Sequence, residues 1–147
     1  MDAKKKEAIT LYAVLEYVEA KQAMETKNWD KAIPLFEKSA SLVYENIDLF
    51  DVDKEVIDSW LETIKGNVKI MTSDNADQVD EIHNKMLKQI DEAFEEKFEQ
   101  IAIKVLINGY YNIGIIKVIK EKGSSGSNWS WLWWIIGFLI ISAIFDW

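Results

Sequence analysis

The lysines of this 147-residue chain stop well before its C-terminal end. All 17 Lys lie at or before Lys122, whereas five of the seven Trp lie at or after Trp129. A composition break this sharp predicts two segments that fold in different solvents. Residues 1–122 are charged throughout, and the segment after them contains an uncharged stretch from Trp131 to Phe145. Any fold must therefore give the two segments separate environments.

The uncharged stretch predicts a membrane-spanning helix. Its roughly 15 residues make about 22 Å of α-helix at 1.5 Å per residue, and the whole segment 129–147 approaches the minimum for a bilayer core of about 30 Å. A buried core helix is one alternative, and a helix lying flat in the interface is another, but the flat helix needs a polar face that this segment lacks. Trp prefers the two bilayer interfaces, and Trp stands at both ends of the segment, at Trp129, Trp131, Trp133, Trp134 and Trp147. We expect 129–147 to be a single-pass anchor in the lipid bilayer, with GSSGSN at 123–128 as a flexible linker.

Charge on the two flanks predicts the orientation of this anchor. Lys117, Lys120 and Lys122 precede it, and Asp146 follows it. Because Lys-rich flanks remain on the cytoplasmic side, residues 1–122 should form a cytoplasmic domain. An anchor that can be inserted only late in synthesis is typical of tail-anchored proteins.

Apolar residues recur with helical spacing through residues 1–122, which predicts an all-α fold. We expect about four helices, arranged as a bundle or as helical hairpins, followed by the C-terminal transmembrane helix. The first helix ends near Lys27, and a second begins after Asn28. The apolar residues of the first helix are predicted to form one amphipathic stripe, consisting of Ile9, Leu11, Tyr12, Leu15, Val18 and Met24.

The second half of the domain is predicted to contain the third and fourth helices. Asp51 or Asp53 can cap the third helix, and the fourth is predicted to run unbroken from Ala76 to at least Gln100. Beyond it, Asn108-Gly109 between apolar runs suits a β-hairpin turn. The alternation of side chains is poor, however, and an isolated hairpin has no sheet to join. A continuing helix over 101–120 is therefore the favoured prediction.

The stretch AKQAMETKNWDKAIPLFEKSA, from Ala20 to Ala40, resembles one tetratricopeptide repeat. Ala20 stands at the small position of the first helix, Lys27-Asn28-Trp29 at the turn, and Ala32 and Phe36 at packing positions of the second helix. The stretch departs from the repeat at two positions, because Lys27 replaces the usual Gly and Ser39 replaces a late Ala. No second copy is visible in the chain.

The resemblance implies a helical hairpin that binds a protein partner. It places four residues on the side that would face that partner: Tyr17, Lys21, Met24 and Glu25. The microtubule-interacting and transport domain has a similar hairpin and is the alternative resemblance.

Composition argues against several classes of function. Residues 1–122 carry all 17 Lys and all but one of the 25 acidic residues, so the domain is acidic and lacks the basic surface that nucleic acid requires. The chain has no Cys and a single His, His83, which lies two residues after Glu81 and is expected to be solvated. We expect no enzymatic activity, no cofactor and no metal site.

These features together predict a membrane-tethered adaptor or scaffold whose helical domain recruits a partner protein to the bilayer. A membrane-active effector, such as a pore-former or toxin of a bacterial or phage conflict system, is the first alternative. A small subunit of a larger membrane complex is the second. The helical domain or the anchor can also support an oligomer. Because a pore-lining helix normally keeps a polar stripe and the segment 129–147 has almost none, the sequence favours an inert anchor.

Overall fold

The computed structural model describes residues 2–71 and 75–123. That part of the chain forms five α-helices and no strand: α1 (Asp2–Glu25), α2 (Trp29–Glu45), α3 (Lys54–Lys69), α4 (Ala76–Ala93) and α5 (Lys97–Gly123), with one short 3₁₀ turn at Ile47–Leu49. The helices pack around one apolar core, which confirms the prediction of an all-α bundle. The predicted anchor at 129–147, and the predicted linker after Gly123, lie outside the described residues.

Small side chains let α1 and α2 pack closely as an antiparallel hairpin. Four alanines of the two helices are fully buried, at Ala13, Ala20, Ala32 and Ala40. Larger side chains at these positions would hold the two helices further apart, because protein interiors are packed as densely as organic crystals and have no spare room. Among the larger residues of α1, Tyr17 also packs on this side, edge-on against Phe36 of α2.

A tight turn joins these two helices and places Lys27 in a left-handed conformation. The backbone N–H of Asn28 donates to the carbonyl oxygen of Ala23 at 2.8 Å, and that of Lys27 donates to Met24 at 3.0 Å. These two bonds form a Schellman motif, which ends many helices and usually has Gly at the left-handed position. Lys27 occupies that position with φ 62°.

α5 is the central helix, and the other four helices pack against it. Residues 102–109 are all buried, so this stretch has no side that faces solvent. A Cβ added at Gly109 would lie 3.3 Å from the Cβ of Ala40, and one at Gly114 would lie 2.5 Å from Cγ1 of Val68. The close approach of α2 and of α3 to α5 therefore depends on these two glycines.

One continuous helix covers 101–120, so the helical prediction for this stretch is confirmed. The prediction that the fourth helix continues to Gln100 is wrong, because α4 ends at Ala93 and Phe94 is extended, with φ −123° and ψ 127°. The Phe94 ring packs edge-on against Trp60 with centroids 6.4 Å apart, and Gln100 Nε2 donates to the Phe94 carbonyl at 2.6 Å. The break lets α5 fold back along α4 into the centre of the bundle.

The amphipathic stripe predicted for α1 is only partly correct. Ile9 and Met24 are buried, but the four other residues of the stripe are between 45 and 65 % exposed. Both sides of α1 are apolar, and close packing on α2 and α5 selects the side with small residues and Tyr17. The four large residues that remain in solvent are Leu11, Tyr12, Leu15 and Val18.

The predicted helix starts are confirmed at two positions. Oδ1 of Asp53 accepts a hydrogen bond from the backbone N–H of Glu55 at 2.9 Å, so Asp53 rather than Asp51 caps α3. Asn28 stands at the N-cap of α2, but its side chain makes no capping hydrogen bond. Its role there is carried by its backbone carbonyl, which accepts from the first turn of α2.

By length and composition, α5 could cross a membrane. The apolar segment is Lys97–Lys120, and 78 % of its most apolar window is buried inside the bundle. In this structure the segment is the core helix of the domain, so its apolar character is already explained by the packing of its neighbours.

Candidate functional site

The exposed apolar residues of α1 form one continuous side of that helix. Leu11, Leu15 and Val18 are spaced by four and three residues, so they stand above one another on the helix surface, and Tyr12 lies at their edge. We call these four residues the outward face. Leu15 is 65 % exposed and Tyr12 is 64 % exposed, which leaves their side chains available to another molecule.

A groove between α1 and α2 borders the outward face. It is lined by Tyr12, Glu16, Lys38, Ser41, Leu42 and Glu45. Lys38 Nζ lies 3.1 Å from Glu16 Oε1, and this ion pair crosses the groove. The groove therefore has an apolar edge beside the outward face, and two of its three charged side chains pair with each other.

Three of the four residues that the sequence places toward a partner lie inside the domain. Tyr17 is 1 % exposed, Met24 is fully buried and Lys21 is 8 % exposed, while Glu25 is exposed. Tyr17 packs edge-on against Phe36 with ring centroids 5.6 Å apart. These side chains hold α1 against the rest of the bundle, and the accessible side of α1 is the outward face.

A second group of polar side chains is buried where α1, α4 and α5 meet. Each member is at most 8 % exposed: Tyr17, Lys21, Asp80, His83, Asn108, Tyr111 and Asn112. We call this group the polar cluster. It contains the only His of the chain, and the expectation that His83 is solvated is wrong, since its exposure is 2 %.

Hydrogen bonds and a ring stack connect the polar cluster. His83 Nε2 lies 2.6 Å from Asn108 Oδ1, and with that oxygen as acceptor Nε2 carries the ring proton. The His83 ring stacks on Tyr111 with centroids 3.9 Å apart and planes 2° apart. Asn112 Nδ2 donates to the Tyr17 hydroxyl at 3.4 Å, which ties α5 to α1.

The polar cluster is incompletely hydrogen-bonded. Four of its buried atoms have no hydrogen-bond partner among the described residues: Asp80 Oδ1, His83 Nδ1, Tyr111 OH and Asn112 Oδ1. Leaving a buried polar group unpaired costs about 1–3 kcal/mol. The cluster therefore weakens the packing of α4 on α5 relative to an apolar contact of the same shape.

Burial shifts the proton affinities of the cluster. Desolvation lowers the pKa of Lys21 to about 7, against a smaller opposing effect of Glu25. Desolvation also lowers the pKa of His83 to about 4, although the hydrogen bond to Asn108 raises it. The pKa of Asp80 is raised by burial and by the nearby charge of Asp77. The imidazole is therefore neutral at pH 7, where it can neither act as a cation nor donate from Nδ1.

Within residues 2–71 and 75–123 no group of three His, Asp or Glu is arranged to hold a metal ion. The predicted membrane-interface residues lie outside the described part of the chain, at Trp129, Trp131, Trp133, Trp134 and Trp147.

Comparisons with protein-family models, with curated proteins and with solved structures found no match to this chain.

Proposed function

We propose that this chain is a membrane-tethered adaptor that binds a partner protein through the outward face of α1. One observation carries the proposal: four large apolar side chains stand exposed on one side of a helix whose opposite side is packed. Single exposed apolar residues are ordinary, but a contiguous exposed apolar patch is typical of an interaction site.

The chemistry of the surface favours an amphipathic helix as the partner element. Leu11, Leu15 and Val18 repeat with the spacing that lets a second helix lay its apolar side across α1, as in helix-in-groove recognition. Two nearby carboxylates are already paired, since Glu16 lies 3.1 Å from Lys38 and Glu19 lies 3.7 Å from Lys31. Binding should therefore be mainly apolar and only weakly dependent on salt concentration.

The membrane tether is the segment 129–147, on the grounds of its uncharged composition and its Trp-rich ends. We propose that it crosses the bilayer once and leaves the helical domain in the cytoplasm, because the lysines precede it. The role of the tether is to hold the partner at the bilayer, where its effective concentration is raised.

The α1–α2 hairpin supports the proposed likeness to a single tetratricopeptide unit. Its turn at Lys27 is left-handed where that repeat has Gly, and Ala32 and Phe36 pack in the hairpin interior. In this proposal the hairpin presents its outward face to the partner, because Tyr17 and Met24 are buried.

The test is site-specific crosslinking followed by titration. A photo-crosslinking residue at Leu15 in the full-length protein should capture a protein in native cells, and one at Ile70 should not. Ile70 on α3 is 64 % exposed and Leu15 is 65 % exposed, so Ile70 is a matched control. The captured protein is then purified and titrated against the full chain in vesicles.

Leu15→Glu should weaken that binding at least about tenfold, which corresponds to about 1.4 kcal/mol, whereas Ile70→Glu should change it by less than about twofold. Equal effects of the two substitutions, or none from Leu15→Glu, would overturn the proposal. A chain in which an unrelated single-span helix replaces 129–147 should still localise to the membrane and still recruit the partner protein there.

A second candidate function is supported by α5. Lys104, Asn108 and Asn112 recur every four residues on a helix long and apolar enough to cross a membrane, and such a polar stripe is what a pore-lining helix requires. A membrane-active effector would release a dye trapped in vesicles, and Asn108→Leu with Asn112→Leu would abolish the release. Vesicles that remain intact exclude this candidate.

The third candidate is a subunit of a larger membrane complex. Such a subunit would fail to assemble with its complex when an unrelated helix replaces its anchor.

A further inference from the structure

The chain contains two apolar surfaces that water does not solvate well: the outward face of α1 and the segment 129–147. We propose that residues 129–134 of the same chain dock on the outward face until the segment enters a bilayer. The inference rests on the proposed adaptor, because it assigns a regulator to the partner site of that adaptor.

The ends of the helices place the segment close to this face. α1 and α5 run in the same direction, since Lys6 pairs with Glu99 near their starts and Asn112 contacts Tyr17 further along. Near the end of α5, Lys120 Nζ lies 3.6 Å from Asp30 Oδ1 at the start of α2. The last residue of α5 is therefore beside the turn that follows α1.

The connecting residues are long enough to reach the face. Five residues, 124–128, cover up to about 17 Å when extended, at roughly 3.3–3.6 Å each. Val18 lies seven residues before the end of α1 at Glu25, a distance of about 10 Å along the helix axis. The chain must also cross the width of α1, about 10–12 Å with side chains, because the outward face lies opposite the packed side. A reach of about 17 Å covers both distances, so the residues from Trp129 onward can lie along Val18, Leu15 and Leu11.

Charge and side-chain type select this occupant over an anionic bilayer. The segment has no charge between Trp131 and Phe145, so it is not repelled by Glu16 and Glu19 beside the outward face. The domain carries all but one of the 25 acidic residues against 17 Lys, and such a domain is repelled by anionic headgroups. Trp is also among the residues that contribute most to binding when seated on an apolar surface.

Docking couples the anchor to the partner. Partner and segment 129–134 compete for one surface, so a partner helix displaces the segment and favours membrane insertion. By linkage, insertion frees the outward face and raises its affinity for the partner by the same factor. The domain would then bind its partner tightly only when it is already at a membrane.

The test uses the full chain made without lipid, with a photo-crosslinking residue at Leu15 or at Ile70. We expect Leu15 to form an intramolecular crosslink to residues 129–134, located by mass spectrometry, and Ile70 to form none. Mixing isotopically light and heavy chains distinguishes a bond within one chain from a bond between copies. Crosslinks between copies, to other parts of the chain, or equal from both positions would overturn the proposal.

A second readout is the rate of insertion into neutral vesicles. Leu15→Glu should release the segment and raise the rate by at least about fivefold, while Ile70→Glu should leave it unchanged. A rate that Leu15→Glu does not raise contradicts docking. If the proposed adaptor function is wrong but docking is right, the results differ from these. The intramolecular crosslink and the faster insertion of Leu15→Glu would both be seen, but no partner protein would compete for the outward face.

Discussion

His83 on α4 and Tyr111 on α5 stack face to face, with ring centroids 3.9 Å apart and planes 2° apart. In the stacked His83 ring, Nε2 donates to Asn108. The other ring nitrogen, Nδ1, has no hydrogen-bond partner among the described residues. Protonation of Nδ1 would place a cation in this buried position, next to the Lys21 ammonium that also lowers the pKa of His83.

This arrangement predicts a loss of stability in mild acid. Well above pH 6.5 the His83 ring is neutral in the folded and in the unfolded chain, so it does not change stability with pH in that range. As the pH falls from about 6.5 to about 4, the unfolded chain binds a proton that the folded chain does not, so stability decreases. Urea unfolding of fragment 1–123 between pH 4 and 7 should show this decrease.

His83→Gln keeps a donor for Asn108 but cannot be protonated. Carboxylates titrate alike in both proteins, so the difference between the two pH profiles isolates the imidazole. Parallel profiles for the two proteins would show that His83 does not control acid stability.

The helical domain should fold without the segment that follows it. The described helices bury their apolar sides on one another, with Ile103, Leu106 and Ile107 of α5 fully buried. We expect fragment 1–123 to be soluble and to give a helical circular dichroism spectrum with one cooperative transition. A spectrum dominated by strand, or an insoluble fragment, would contradict this.

Two glycines offer a matched test of helix packing. Ala at Gly114 would place its Cβ 2.5 Å from Val68 Cγ1 and 3.1 Å from Val68 Cβ, and rotating the Val side chain cannot move its own Cβ. Overpacking of this kind typically costs about 1–3 kcal/mol, so we expect Gly114→Ala to lower the free energy of unfolding. At Gly66 no atom lies within 4 Å, and Ala there should add about 0.5–1 kcal/mol through helix propensity. Urea titration of both variants measures the difference, and equal effects would refute the packing account.

Replacing Lys27 with Gly should stabilise the domain. A non-glycine residue in the left-handed region is disfavoured by about 1–2 kcal/mol, and the greater freedom of Gly in the unfolded chain offsets part of that gain. We expect an increase of about 0.5–1 kcal/mol in the free energy of unfolding. Lys27→Ala is the control, because it removes the long side chain but keeps the unfavourable φ. If Ala stabilises as much as Gly, the side chain rather than the backbone is responsible.

Two Lys substitutions test the proposed anchor. Lys at Leu139, near the middle of 129–147, would place a charge at the bilayer centre, at a cost of about 2.5–3.5 kcal/mol on insertion scales. Carbonate extraction should then release the protein from membranes. Lys at Ser130 should be tolerated, because a side chain near the interface can extend its amine to water. Retention of both variants would indicate that this segment does not span the bilayer.

The sequence predicts the helices better than it predicts their ends. Apolar periodicity is a property of each helix by itself, and it predicts the helix over 101–120 despite the Asn-Gly pair. The break at Phe94 has no such local signal, since neither Gly nor Pro lies nearby and Phe94 and Phe98 continue the apolar stripe. Packing of Phe94 on Trp60 decides the break, and residues 34 positions apart in the sequence give no sign of that contact.

The outward face and the polar cluster could not be predicted from the sequence, for different reasons. α1 is apolar on two sides, and the choice of the buried side depends on the small residues of α2 that face it. A stripe of large apolar residues therefore predicts that Leu15 is buried and overlooks Ala13, whereas Leu15 is exposed and Ala13 is buried. The polar cluster joins His83 to Asn108, which belong to different helices, and a lone His in an acidic stretch carries no signal of burial.

The pairing of α1 with α5 also sets the order in which the chain can fold during synthesis. Tyr17 meets Asn112, and Lys6 meets Glu99, so the first helix waits for partners that are more than 90 residues away in the sequence. At roughly 5–20 residues per second, the ribosome takes about 5–20 s to make that interval. During this time the α1–α2 hairpin exposes two apolar surfaces instead of one. The nascent chain should therefore be most dependent on chaperones before α5 emerges. Substitutions that speed the packing of α5 on the hairpin should raise the yield of folded protein, even where they leave the free energy of unfolding unchanged.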